Sequence, residues 1–175
     1  MAARGFTLFE LLITLLILVL LLTIGVPSLS HQIQNTRTQA ALQDLLQSVQ
    51  HARTLAVSQN QRATLVHKGS WGDGWELFID TNNNGIRDGE EALIFEGAQP
   101  EGVKVYSNGP VRDYISFIGT GESRKVGRAN GGSFQAGTLR VCPENDGDGF
   151  QLVLARSGRM RVESVSADAC VAFNG

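Results

Sequence analysis

The sequence is poor in the side chains that most often carry chemistry. Its 175 residues include two cysteines and three histidines. Without histidines at ligand spacing, two cysteines do not make a structural zinc site, and they are too few for a disulfide-dense mini-protein. No G-x-S-x-G, H-E-x-x-H or phosphate-binding loop occurs, His67 stands alone in a strand-like run, and the paired acids Glu90 and Glu91 sit in an evident turn. No enzyme class finds support. An excess of one charge is missing too: a net charge of -2 and a pI near 5.9 argue against a protein that coats a polyanion along its length. What remains, 42% hydrophobic and 18% charged residues, is the balance of a globular chain with room for one domain and one appendage.

The apolar residues are unevenly spread. From Phe6 to Val26 the chain reads FTLFELLITLLILVLLLTIGV, in which Glu10 is the only ionisable side chain. As a helix this run is roughly 31 Å long, about the thickness of a bilayer's hydrocarbon core. Arg4 and the initiator amine precede it, which puts the N-terminus on the cytoplasmic side and everything after the run across the membrane. A secretory signal would have a shorter apolar stretch and an A-x-A-like cleavage site, whereas here the chain continues VPSLSHQIQ. An ionised carboxylate at Glu10 costs about 2.5 to 3.5 kcal/mol inside a bilayer and requires compensation. Either Glu10 snorkels to the headgroups, or a cut between Gly5 and Phe6 creates an ammonium one helical turn away that pairs with it, on the same chain or on a neighbour.

The string R-G-F-T-L-F-E-L-L, Arg4 through Leu12, closely resembles the class III signal of type IV pilins and type II secretion pseudopilins. The resemblance implies that prepilin peptidase cuts after Gly5 and methylates Phe6, and that Glu10 pairs with a neighbouring subunit's N-terminal amine as the filament assembles. Pro27 matches the family's kink position and removes one helical hydrogen bond where the chain leaves the membrane.

Beyond Pro27 the pattern becomes amphipathic, with Leu29, Ile33, Leu42, Leu45, Val49, Ala52 and Ala56 at spacings of three or four. His31 and His51 lie on this stretch with no partner at ligand spacing. After Gln61 the chain changes to short β-rich runs: ATLVHK, WELFID, ALIFEG, VKVYS, ISFIG, TLRVC, FQLVLA and MRVESV. Turn signals such as Asn84-Gly85, Asn108-Gly109 and Ser157-Gly158 separate them. The expected fold is α+β: a long N-terminal helix, half membrane-spanning and half amphipathic, packed on an antiparallel β-sheet head. The division is residues 1–5 as leader, 6–26 as transmembrane or filament-core helix, 27–60 as amphipathic helix and 61–175 as periplasmic head. Segments Leu46–Leu65, Gly74–Gly85 and Ser157–Val162 resemble the GspH/FimT branch of minor pilins and pseudopilins, which implies two antiparallel sheets after the helix.

Cys142 and Cys170 fall outside the cytoplasm in this topology, where disulfides persist, and a bridge between them is expected to tie down the C-terminal tail; a free, reactive pair is the alternative, against which stands the absence of C-x-x-C spacing. Asp80 to Glu91 reads DTNNNGIRDGEE, which places Asp80, Asn82, Asn84, Asp88 and Glu91 at the side-chain ligand positions of a calcium loop. Against Ca²⁺, the flanks are strand-like rather than helical and two donors are neutral amides. The same residues also make a polar hairpin loop that caps its own backbone.

Charge is polarised in the head. Residues 73–101 hold eight acids and one base, while residues 124–161 hold seven bases and three acids. Within the basic segment, Arg159 and Arg161 follow the turn Ser157-Gly158 and, two apart on a strand, point to one side, where guanidinium forks suit phosphate. The G-R-x-R string, Gly158, Arg159 and Arg161, resembles the motif by which FimT-type minor pilins bind DNA in natural transformation. Arg156, Arg124, Lys125 and Arg128 join it on charge alone; a solvated strand edge is the competing reading. The resemblance implies a minor type IV pilin. It would be anchored in the bacterial inner membrane and then built into the pilus near its tip. Its partners would be major and minor pilin subunits, prepilin peptidase and double-stranded DNA, with DNA contacts to the backbone rather than to bases. The alternative is a GspH-like pseudopilin of a type II secretion system.

Overall fold

The computed structural model describes residues 7–127 and 132–172. A single helix, α1, is assigned from Leu8 to Gln59, and its assignment runs through Pro27 without interruption. The chain divides into two compact units, residues 1–36 and residues 37–175.

From Leu8 onward the first unit is helical, and its large side chains from Leu8 to Leu22 are exposed. Its start carries a reciprocal cap. The Thr7 hydroxyl accepts from the Glu10 amide at 3.2 Å, while the Thr7 amide and hydroxyl each donate to Glu10 Oε2 at 3.0 Å. This Thr-x-x-Glu box satisfies amides that no earlier turn can reach. Among the described residues no helix is long and apolar enough to cross a membrane; described side chains of the run stop at Thr23, while the sequence continues it to Val26.

In the second unit the helical spacing becomes packing. Ala41, Leu42, Leu45, Val49, Ala52 and Ala56 lie on one face of α1 and are buried in the core with residues from both sheets. Leu29 and Ile33, expected to begin the same stripe, are exposed instead; they precede the unit that supplies the core. The polar residue Ser48 on the buried face is not an exception to packing logic. Its hydroxyl donates to the Asp44 carbonyl at 2.7 Å and accepts from the Trp75 indole at 2.8 Å, so neither polar group is buried unsatisfied.

The eight β-rich runs become eight strands: β1 (Ala63–His67), β2 (Trp75–Ile79), β3 (Leu93–Gly97), β4 (Val103–Ser107), β5 (Tyr114–Phe117), β6 (Gly137–Pro143), β7 (Gly149–Leu154) and β8 (Met160–Val165). They form two antiparallel four-stranded sheets, ordered β3-β2-β1-β5 and β4-β6-β7-β8. A short helix, α2 (Ala167–Ala172), follows β8. The expected disulfide is present, joining Cys142 at the end of β6 to Cys170 on α2 with Cα atoms 5.9 Å apart. The outer side of β5 is closed without a strand. The buried Gln135 amide accepts from the Ser116 amide through Oε1 at 3.0 Å and donates through Nε2 to the Tyr114 and Pro110 carbonyls at 2.8 Å.

Candidate functional site

Two polar segments singled out by the sequence have opposite fates. The loop between β2 and β3 turns the carboxylates at its two ends inward. Asp80 is buried, and its Oδ2 accepts from the Thr64 hydroxyl and the Gly85 amide, both at 3.0 Å, while Oδ1 accepts from the Asn84 amide at 3.0 Å. Buried Glu91 accepts from the Thr81 amide at 2.8 Å and hydroxyl at 3.0 Å, and from the Asp88 amide at 3.2 Å. Asn82 and Asn84 both donate side-chain amides to Asp88, and each also accepts from a backbone amide two residues on. The five expected ligand residues are therefore brought together, but their oxygens close the loop on itself. Among the described residues no group of three or more His, Cys, Asp or Glu stands ready to hold a metal.

Arg62, which sequence patterning did not flag, locks this loop to the sheet. It is 4% exposed and donates to Asn83 Oδ1 at 2.8 Å, Ser116 Oγ at 2.6 Å and the Arg124 carbonyl at 3.1 Å. Burial pushes the Asp80 carboxyl above its ordinary range; hydrogen bonds from Thr64 and Gly85 and the nearby Arg62 charge work against that rise. The wider acidic segment is also largely compensated: Glu76 pairs with Arg87, Glu96 with Lys68 and Glu101 with Arg37.

The basic turn faces outward. Residues 155–159 form a tight turn, with the Gly158 amide donating to the Ala155 carbonyl and the Ala155 amide to the Arg159 carbonyl, both at 2.9 Å. Gly158 has φ of +77° and lies buried against the Gly121 carbonyl, so a side chain there is excluded both by backbone conformation and by space. Arg159 stands exposed one residue before β8 and Arg161 exposed within it, while Met160 between them packs against the core. The alternation sends both arginines away from the core, as the spacing predicts.

The basic residues are not equivalent. Arg161 Nε lies 2.5 Å from Glu163 Oε1, and Glu163 is held below the ordinary carboxylate range by its hydrogen bond from Gln151 and then by Arg161 itself. Arg124 is bound into the fold: it pairs with Glu122 at 2.8 Å, donates to the Gly132 carbonyl and covers the Phe134 ring at 3.8 Å. Arg156 lies 6.0 Å from the same ring centroid, so Phe134 brings Arg124 and Arg156 together. Lys125 is exposed. Among the described residues Arg156 and Arg159 meet no carboxylate within ion-pair distance. Arg128 lies outside the described residues, as do Gly5 and Phe6 at the N-terminus.

No curated protein matches the chain. Two crystal forms of the type IV minor pilin FimU from Pseudomonas aeruginosa are similar in fold. One matches with a TM-score of 0.56 at 19% identity, covering 74% of this chain and 90% of FimU. The other gives 0.53 at 20% identity, covering 71% and 91%. A long helix leading into two antiparallel sheets is thus a pilin fold, and the family model for the type II transport protein GspH matches residues 41–158, a span that takes in the core-facing part of α1, the polar loop and the glycine of the basic turn. On that match the chain belongs to the GspH family.

Proposed function

We propose that the chain is a minor type IV pilin of the FimT/FimU kind. In this reading it is cut after Gly5 and methylated at Phe6 by prepilin peptidase, spans the inner membrane through residues 6–26 and enters the filament beside other pilin subunits. Glu10 then exchanges its cap on Thr7 for the amine of a neighbour. Support comes from the apolar run, the GspH family match and the FimU-like fold. Mass spectrometry of the protein from its host is expected to find a chain beginning at methylated Phe6. Retention of the first five residues would overturn the reading.

The head's role is to hold DNA by its backbone through Arg159, with Arg156 and Arg161 beside it. The observation that carries this role is an exposed cationic turn, closed by its own backbone hydrogen bonds, in which Arg156 and Arg159 have no acidic partner among the described residues. Contacts of this kind release counterions and depend steeply on salt. The detergent-solubilised chain is expected to bind duplex DNA with affinity that falls with salt, and Arg159→Ala with Arg161→Ala is expected to abolish binding. Equal affinity of variant and wild type refutes it. A second reading, a minor pseudopilin of a type II secretion system, is favoured by the description of the matching family. Deletion in the host separates the two: loss of DNA uptake supports the first, loss of protein secretion the second.

A further inference from the structure

An arginine on the helix shares the space beside the basic turn. A cavity of about 340 Å³ opens between α1 and the start of β8, lined by Gln50, Arg53, Thr54, Gly158 and Arg159 together with Val49 and Met160. No acid lines it. Arg53 is half-buried and held in place: its Nε donates to the Gly121 carbonyl at 2.9 Å and its Nη2 reaches the Ser157 carbonyl at 3.4 Å. Both acceptors are neutral carbonyls, and among the described residues Nη1 has no acceptor. A side chain on Gly158 would come within 3.1 Å of Arg53 Nε. The missing side chain therefore leaves room for the turn to sit on the helix arginine, which gives the glycine a role beyond turn geometry.

We propose that this cavity holds one phosphate group of a nucleic-acid backbone between Arg53 and Arg159, with Gln50 and Thr54 as neutral hydrogen-bond donors at its rim. The proposal rests on the reading that the turn contacts DNA and adds a residue from a different element to that contact. An arginine already fixed by two carbonyls loses little freedom when it binds an anion, which is what makes a guanidinium effective there. The fixed Arg53 supplies the floor, and the exposed Arg159 closes over the ligand.

The test uses the full chain in detergent and two probes, duplex DNA and inorganic tripolyphosphate. Arg53→Gln is expected to lower duplex affinity about tenfold and to reduce the salt slope by about one, as removal of a single phosphate contact does. Arg53 also clamps two carbonyls, so Gln50→Glu serves as a variant that leaves the clamp intact. It is expected to weaken duplex binding about as much, by placing a carboxylate in the cavity, without moving the thermal midpoint. Tripolyphosphate is expected to raise the midpoint of the wild type and not that of Gln50→Glu. Loss of DNA binding in Arg159→Ala alongside wild-type affinity in both Arg53→Gln and Gln50→Glu overturns the cavity and leaves the turn's role intact. A tripolyphosphate response that Gln50→Glu removes, without any duplex binding, keeps the phosphate site and ends the DNA reading. No response to either probe ends both.

Discussion

The loop of residues 80–91 and the turn of residues 155–161 are both short, glycine-bearing and rich in charge, yet they use charge in opposite ways. In the loop Asp80, Asn82, Asn84 and Glu91 each accept from the loop's own backbone, and Asp80 and Glu91 are buried. In the turn the backbone bonds to itself and to Ser123 and Arg53, with no help from the turn's own arginine side chains, and Arg156 and Arg159 are exposed. Charge density along a sequence therefore does not report charge on the surface. What matters is whether the backbone needs the side chain.

The largest test of this contrast is Arg62→Ala. It strips a buried cation from Asn83, Ser116 and the Arg124 carbonyl beside buried Asp80, and a loss of about 3 to 5 kcal/mol in urea unfolding is expected. A loss below about 1 kcal/mol would mean that the loop does not depend on it. Next comes Gly158→Ala, where a positive φ and the Gly121 carbonyl together predict a cost of about 1 to 3 kcal/mol and a loss of DNA affinity that Arg159→Ala reproduces without any cost in stability.

Asp80→Asn gives a smaller effect with a definite sign. Because burial raises the Asp80 value above 3.8, the folded state holds that proton more tightly than the unfolded state does. This contribution to stability is present at acid pH and is lost as pH rises from 3.8 through the raised value, remaining level above it. Urea midpoints of wild type and variant at stepped pH are expected to differ with that trend, and a pH-independent difference would show that the carboxyl is unperturbed. Smaller still, Arg159→Ala is expected to leave unfolding within about 0.5 kcal/mol of wild type. Millimolar Ca²⁺ is expected to leave the thermal midpoint in place, because the loop's oxygens already have donors; an upward shift would restore the metal reading.

Much of the fold could be read from local pattern. Spacings of three and four marked Leu42 to Ala56 as the packing face, and alternation with glycine-rich punctuation marked all eight strands. The G-R-x-R string located the exposed turn because a positive φ selects glycine at a fixed place in the chain. What escaped were polar residues whose roles depend on distant partners. Arg62 and Gln135 look like surface residues until residues 116 and 124 arrive beside them. Arg53 is the same case, since its carbonyl partners lie 68 and 104 residues away. Thr7 and Glu10 carried a local signature, threonine followed three residues later by glutamate, which the requirement for a counter-ion at Glu10 overshadowed.

The side-chain amide that completes β5 has a bearing on assembly. An open strand is an invitation to another chain, and the first sheet issues it on one flank only, at β3, where Leu93, Ile94 and Phe95 stand partly bare. Two copies that zip together through this sheet would use up each other's free flank and stop at a pair. Gln135, with the backbone of Ser123 and Arg124 beside it, thus acts as a terminator: it denies the first sheet a ladder by which copies could stack without limit.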